Sequence, residues 1–133
     1  MLVEHARNLL GIDDASHDEY GTAGTQIGTE LSCSLSESEI TIDIADGTLL
    51  SRIHGTKTSV EGTNCNYGLA PDFDHIAAEG GLVASARDDT GEVRAVERLD
   101  HSFFIAALYQ PQLRSTAISP HPVWLAFVDA VTG

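Results

Sequence analysis

Residues 103–115, FFIAALYQPQLRS, contain the clearest indication of the fold of this 133-residue chain. The uninterrupted apolar run at 103–108 predicts a strand that is covered on both faces, because a half-exposed strand alternates apolar and polar residues. The YQPQ sequence at 109–112 predicts a turn. In open α/β sheets, a turn after the carboxyl end of a buried strand is the usual place for a ligand or an active site. Here the turn contains two glutamines, whose amides neither take up nor release a proton near neutral pH.

The sequence around this run predicts an alternation of helices and strands. Helices are predicted at residues 2–10, 71–81 and 121–133, with a short helix or turn at 46–55. Strands are predicted at residues 31–35, 39–44, 63–69 and 103–108, and as a pair within 82–99. Residues 12–30 are polar and contain glycines, which predicts a loop. The order favours a mixed α/β protein, more consistent with a three-layer sandwich than with a barrel.

Both terminal helices are predicted to be amphipathic, with one face turned towards the core. The residues expected on these faces are Leu2, Val3, Ala6, Leu9 and Leu10 in the first helix, and Val123, Leu125, Ala126, Val128 and Val131 in the last.

Length and charge narrow the class of protein. A chain of this length predicts one domain, residues 1–133. The net charge of −13 would repel phosphate groups, so neither nucleic acid nor an anionic membrane is an expected partner. No apolar run reaches the length of a membrane span, and the charged residues Glu4 and Arg7 interrupt any signal peptide. We therefore expect an acidic cytoplasmic protein.

The cysteines and histidines do not form a recognisable ligand pattern. Cys33 and Cys65 are more consistent with two reduced thiols than with a disulfide framework. The six histidines have no metal-ligand spacing, so no metal ion or other cofactor is predicted.

Three segments show a resemblance to a known family: VEHARNLLG at 3–11, the 88–115 segment ending in YQPQLRS, and PHPVWLAFVDAV at 120–131. They resemble the C-terminal half of the class I glutamine amidotransferase domain of CTP synthases. The LSCSL and CNYGL sequences, with Gln-Pro in place of His-Pro, are closer still to the CTP synthase C-terminal region-related (seleno)proteins. The resemblance implies a partial three-layer glutamine amidotransferase-like (flavodoxin-like) α/β sandwich whose first strands lie upstream of Met1.

The resemblance also implies a degenerate active site. In the amidotransferases the turn reads Phe-His-Pro-Glu, where the histidine activates a cysteine nucleophile and the glutamate orients the histidine. Gln110 and Gln112 occupy the matching positions here. The family's nucleophile and oxyanion loop precede the helix that matches residues 2–10. We therefore expect that the chain does not hydrolyse glutamine by itself.

The segment around Cys65 is the remaining candidate for chemistry, because in the family it lines the glutamine pocket. The residues proposed for catalysis are Cys65, Glu61 and Gln110, and those proposed for substrate binding are Asn64, Asn66, Tyr67, Tyr109 and Gln112. A reactive thiol needs a nearby base or cation, and His54 is the nearest histidine in sequence. Structural alternatives stay open for these residues. Cys65 could be a small buried side chain that only fills space, Glu61 a solvated or salt-bridged group, and Tyr67 a ring that only contributes packing. Cys33 could be a structural residue or the redox partner of Cys65.

Two functions remain open from the sequence. In the first, the chain is a specialised enzyme that uses Cys65 on a small amide- or amino-acid-like substrate. In the second, it is a non-catalytic binding or regulatory domain. Because the family's first strands would lie upstream, we expect a homodimer, or a complex with a separate subunit, formed through the helix 2–10 face. The alternative to such a complex is that the start of the chain is misassigned or that the chain is a fragment of a longer protein.

Overall fold

The computed structural model describes the backbone of residues 1–133 and all side chains except those of residues 32–34, 36 and 74–76. The helices are α1 (Leu2–Leu10), α2 (Leu49–His54), α3 (Phe73–Glu79) and α4 (Pro122–Thr132). The strands are β1 (Ala15–His17), β2 (Thr25–Ile44), β3 (Thr58–Leu69), β4 (Leu82–Asp88), β5 (Val93–Arg98) and β6 (Ile105–Ala107). Short 3-10 helices cover Asp18–Tyr20 and Pro111–Arg114. The hypotheses for Cys33 fall among the side chains that are not described.

The described strands form one six-stranded mixed sheet in the order β1-β2-β4-β5-β6, and β3 pairs with β2 outside this path. The β1–β2 pair is parallel, whereas the β2–β3, β2–β4, β4–β5 and β5–β6 pairs are antiparallel. Helices cover both faces of the sheet, which confirms the predicted three-layer α/β class.

Two apolar clusters lie on opposite sides of the sheet. The first packs α1 and α3 against the sheet around Ile27, Phe73 and Leu82. The second packs α2 and α4 against the other face around Ile42 and Leu50. Because each helix buries only one side, the sheet is the shared inner layer of both clusters.

The predicted loop at 12–30 is wrong, because it contains β1 and the beginning of β2. Ala15 is fully buried, and its carbonyl oxygen accepts two hydrogen bonds from the Arg7 guanidinium, at 3.0 and 2.7 Å. Gly28 lets the His17 ring approach the strand, since a Cβ at position 28 would lie 2.2 Å from His17 Cδ2. Polar, glycine-containing strands of this kind lack the apolar alternation by which strands are found in a sequence.

The structure also corrects the predicted burial of the last two apolar segments. Only residues 105–107 of the predicted 103–108 strand form β6, and they are half-buried because β6 ends the sheet. In α4, Val123 is buried but Leu125, Val128 and Val131 are exposed. None of the described helices has both the length and the apolar character needed to cross a membrane.

Glu97 in β5 determines where α2 begins. Its side chain is fully buried, and its two carboxylate oxygens accept the backbone N–H groups of Leu49, at 2.5 Å, and Leu50, at 3.1 Å. The Thr48 hydroxyl accepts a third first-turn N–H, from Ser51 at 3.0 Å. A carboxylate at a helix N-terminus satisfies unpaired donors and complements the helix dipole, so Glu97 ties α2 to the sheet.

We predict that Glu97→Ala lowers the free energy of unfolding by about 2–3 kcal/mol, because two buried N–H groups lose their acceptors. Glu97→Gln retains one acceptor oxygen, so its free energy of unfolding is expected to fall by about half as much. Urea denaturation followed by circular dichroism measures both, with the exposed residue Glu79 mutated to alanine as the control. Equal effects of Glu97→Ala and Glu79→Ala would contradict this role.

Candidate functional site

Gln110 bridges β3 and the turn after β6. Its side-chain Oε1 accepts the backbone N–H of Asn64 at 2.6 Å, and its backbone N–H donates to the Gly62 carbonyl at 2.9 Å. Gly62 is needed for this contact, because a Cβ there would lie 2.7 Å from the Cβ of Leu113 in the turn. With Oε1 engaged, the amide NH₂ is the group of Gln110 that can donate a hydrogen bond to a ligand.

Cys65 lies half-buried on β3, beside this bridge along the strand. Its Sγ accepts the backbone N–H of Tyr67 at 3.4 Å, and its thiol can donate to the Tyr67 carbonyl at 3.5 Å. These are the hydrogen bonds of the thiol found among the described residues, and neither partner is a base. The backbone of Tyr67 on β3 therefore orients the thiol without providing a base.

Glu61 does not lie beside the Cys65 thiol, so the structure does not bring together these two residues that were proposed for catalysis. The two residues are four positions apart on one strand, a separation of about 13 Å at the usual rise per residue. Glu61 is also not a solvated surface group, since its side chain is only 1% exposed. A carboxylate this deeply buried must be paired or hydrogen-bonded.

Three side chains surround the Glu61 carboxylate. His121 Nε2 lies 3.0 Å from Oε2 and 3.2 Å from Oε1, and the Ser59 hydroxyl donates to Oε1 at 2.7 Å. His54 Nε2 lies 4.0 Å from Oε1. We call these four residues the Glu61 cluster. The Glu61 cluster brings together the C-terminal end of α2, strand β3 and the residue that precedes α4.

Backbone contacts determine the tautomer of His121. Its Nδ1 accepts the N–H of Val123 at 3.2 Å, in the N-cap position of α4. The proton of the neutral ring therefore lies on Nε2 and is donated to Glu61. The candidate ligand atoms of His54, Glu61 and His121 lie within 4.8 Å of one another, a set that sequence spacing did not reveal. A metal ion needs a lone pair on its histidine nitrogen, so this tautomer fits a hydrogen-bonded cluster better than a metal centre.

Two polar groups near the cluster have no hydrogen-bond partner among the described residues: His54 Nε2 and the Tyr109 hydroxyl. Burial lowers the pKa of His54, and the neighbouring His121 lowers it further, while Glu61 opposes this shift. Burial and the nearby Glu61 carboxylate raise the pKa of Tyr109. Tyr109 is 2% exposed, so its hydroxyl faces the interior rather than an open ligand site.

The other predicted binding residues are at the surface or line a cavity. Asn64, Asn66 and Gln112 are exposed. The Tyr67 ring packs against His17, with their centroids 4.8 Å apart, and both line a cavity of about 640 Å³ at the start of α1. The predictions missed His17 because its segment looked like a loop, and His121 because it lies far from Glu61 in sequence.

Comparison with known proteins places this geometry in a class. No family model matches the chain. The CTP synthase of Aeropyrum pernix is 32% identical over 142 residues, which covers 98% of this chain. The CTP synthase of Flavobacterium johnsoniae is 32% identical over 140 residues, covering 97%. The chain spans 26% of the length of each of these relatives.

The solved structures agree with the sequence relatives. The glutaminase domain of the Trypanosoma brucei CTP synthase superposes with a TM-score of 0.90 and 24% identity, covering 97% of this chain and 55% of that domain. A GMP synthase-type protein from Thermoplasma acidophilum gives a TM-score of 0.55 at 12% identity, covering 77% of this chain and 47% of the other.

The sequence relatives and the shared fold together therefore place the chain among the class I glutamine amidotransferase-like domains. More particularly, the chain is a homologue of the CTP synthases, corresponding to about a quarter of their length. The closer resemblance to the CTP synthase C-terminal region-related (seleno)proteins stays a prediction.

We predict that Glu61 and His121 act as a coupled pair in stability. Glu61→Ala and His121→Ala should each lower the free energy of unfolding by about 2–3 kcal/mol, because each leaves a buried polar partner unsatisfied. The double variant should lose at least about 1 kcal/mol less than the sum, as expected for residues in direct contact. Urea denaturation of the wild type, the two single variants and the double variant measures this coupling. Strictly additive losses would contradict the hydrogen bond, and the exposed His101→Ala is the control.

We predict that stability decreases as the pH falls below about 6.5, the ordinary pKa of histidine. The unfolded chain takes up a proton at His54 in this range, whereas burial keeps the folded His54 neutral, so protons favour unfolding. His54→Gln should reduce the loss of unfolding free energy between pH values of about 7.5 and about 5.5, which lie on either side of the histidine pKa. Urea titrations at both pH values test this, with His101→Gln as the control. An unchanged loss in His54→Gln would disprove the contribution of His54.

Proposed function

We propose that the chain is a glutamine amidotransferase-related domain that does not hydrolyse glutamine by itself and that binds a small amide- or amino-acid-like ligand beside Gln110. The observation that supports this proposal is the hydrogen-bonded position of Gln110, at the turn where the amidotransferases have their catalytic histidine. A glutamine amide cannot act as a general base, because it does not take up a proton at accessible pH. It can hold the amide or carboxylate of a ligand through its NH₂ group.

Gln112 does not replace the missing base. It is exposed, and its amide has the same chemical limit as that of Gln110. Glu61 and His121, which could share a proton, are buried together and hydrogen-bonded to each other. The turn thus keeps groups suited to binding, while this acid–base pair lies in the interior.

In this proposal Cys65 is the residue that would carry any chemistry. The Tyr67 N–H points at its sulfur, so the backbone of β3 holds the thiol in one orientation. Asn64, Asn66 and Tyr67 lie next to it on β3 and are the proposed contacts of the ligand.

A non-catalytic binding domain that pairs with another polypeptide is the second candidate. It is favoured by the lack of a base at the Cys65 thiol among the described side chains. The apolar residues Met1 and Leu9, exposed at the two ends of α1, support the proposed contact through the helix 2–10 face.

We predict that the purified chain releases no ammonia from L-glutamine above the uncatalysed rate, and that it nevertheless binds L-glutamine. Gln110→Ala should weaken binding about tenfold, because it removes the amide that faces the ligand and each lost hydrogen bond costs about 1 kcal/mol or more. The exposed control Asn8→Ala should not change binding. Isothermal titration calorimetry measures binding, and a coupled glutamate dehydrogenase assay measures hydrolysis. Turnover of glutamine, or binding that is indifferent to Gln110→Ala, would refute the proposal.

The reactivity of the Cys65 thiol separates the two candidates. If Cys65 is the reacting group, iodoacetamide should alkylate Cys65 in a Cys33→Ser background faster at neutral pH than it alkylates free cysteine. An unreactive thiol favours the binding domain.

A further inference from the structure

Three buried polar atoms beside the inner face of β3 have no hydrogen-bond partner among the described residues. They are His54 Nε2, Thr63 Oγ1 and the Tyr109 hydroxyl. Thr63 is fully buried, Tyr109 is 2% exposed, and the side chain of His54 is 6% exposed. Buried polar groups in folded proteins are almost always paired, either with the protein or with an ordered water. Three such groups in one region therefore need a common explanation.

The alternation of β3 places Thr63 on the same face as Glu61. Both residues are buried, whereas Val60 and Asn64, at alternate positions of the strand, are exposed. Thr63 lies about 7 Å further along the strand than Glu61, two residues at the usual rise. The Thr63 hydroxyl is therefore the next polar side-chain group after the carboxylate on this face.

Tyr109 reaches the same region from the turn after β6. Its neighbour Gln110 donates a backbone N–H to the Gly62 carbonyl at 2.9 Å. Tyr109 therefore lies beside the part of β3 between Glu61 and Thr63. Burial and the nearby Glu61 carboxylate raise the pKa of Tyr109, so its hydroxyl keeps its proton and can donate a hydrogen bond.

The Glu61 carboxylate can accept more hydrogen bonds than its described neighbours supply. His121 Nε2 and the Ser59 hydroxyl are its hydrogen-bond donors among the described residues. An ionised carboxylate has about four lone-pair sites, so at least one site is left for a further donor. His54 Nε2 lies 4.0 Å from Oε1, which is longer than a direct hydrogen bond.

We propose that one internal water molecule occupies the space between these groups and joins the Glu61 cluster to the Gln110 turn. The water accepts hydrogen bonds from the Tyr109 and Thr63 hydroxyls. It donates to the Glu61 carboxylate and to His54 Nε2. Internal waters of folded proteins typically make two to four such bonds to buried polar groups.

In this arrangement Tyr109 is a positioning residue for Gln110. The water ties the Tyr109 hydroxyl to the core, and this fixes the residue that precedes Gln110. The Gln110 side chain can then hold the Asn64 N–H, at 2.6 Å, with its amide NH₂ in a constant position. The water site does not depend on the proposed function, whereas its effect on ligand binding rests on that function.

The variants Tyr109→Phe and Thr63→Val test the water, because each removes one hydroxyl and nearly preserves the shape of the core. Each variant should lower the midpoint of urea denaturation and raise the unfolding equilibrium constant roughly fivefold, as expected for one lost hydrogen bond. The double variant should lose less than the sum, because both hydroxyls bind the same water. If the hydroxyls had no partner, their removal would raise the midpoint instead. Tyr20→Phe and Thr41→Val, at exposed positions, are the controls and should leave the midpoint unchanged.

Two further measurements examine the site directly. A high-resolution crystal structure should show one ordered water within about 3.2 Å of the Tyr109 and Thr63 hydroxyl oxygens. Amide hydrogen exchange followed by NMR reports on the turn. Tyr109→Phe should accelerate exchange at Gln110 and Asn64 at least about threefold, as expected for a local opening. Exchange at Leu108, whose N–H donates to β5, should stay unchanged.

Each contrary result overturns the inference at a defined point. A direct hydrogen bond between the Tyr109 hydroxyl and Glu61, or the absence of a water at this site in the crystal, would disprove the water. So would the failure of either hydroxyl variant to lower the midpoint. Unchanged exchange at Gln110 in Tyr109→Phe would disprove the positioning role. If the wild-type chain does not bind L-glutamine, the proposed function fails, and the crystal structure, midpoints and exchange rates still decide this inference.

Discussion

The buried Glu61 carboxylate is the constraint on which the arrangement of this half of the molecule depends. A charge that is 1% exposed costs several kcal/mol of desolvation unless donors satisfy it, and here the donors are His121, before α4, and Ser59, on β3. His121 brings the beginning of α4 to β3, and His54 brings the end of α2 to the same point. The packing of α2 and α4 on one face of the sheet thus has a polar centre as well as an apolar core.

The same strand that buries Glu61 also carries the surface groups of the candidate site. Along β3, the carboxylate faces the interior, Gly62 gives space to the turn, and Asn64 holds the side chain of Gln110. One strand therefore couples the core to the turn. This coupling explains why a turn without acid–base groups keeps a defined geometry: its side-chain amide is part of the fold and still has an NH₂ group that can donate.

The sheet is well covered in its middle and open at one end. Glu97 ties α2 to β5, and α1 and α3 cover the opposite face. Beyond β5 the cover becomes incomplete, because β6 is half-buried and the outer side of α4 is apolar and exposed. The outer side of α4 thus differs from the charged outer face that is usual for a helix at the surface of a domain.

The sequence by itself determined the α/β class, the helix at residues 2–10, the pair of strands within 82–99 and the presence of two glutamines in the 109–112 turn. It could do so because propensity, periodicity and residue chemistry are local properties. Through the resemblance it also indicated the amidotransferase class that the comparisons then supported. Tertiary structure alone decided that 12–30 contains strands, that Glu61 pairs with His121 rather than serving Cys65, and that β6 ends the sheet half-buried. Each of these depends on groups brought together from distant parts of the chain, 60 residues apart for Glu61 and His121. No local sequence pattern indicates which donor pairs with a given buried charge, because the two groups come together only when the layers pack.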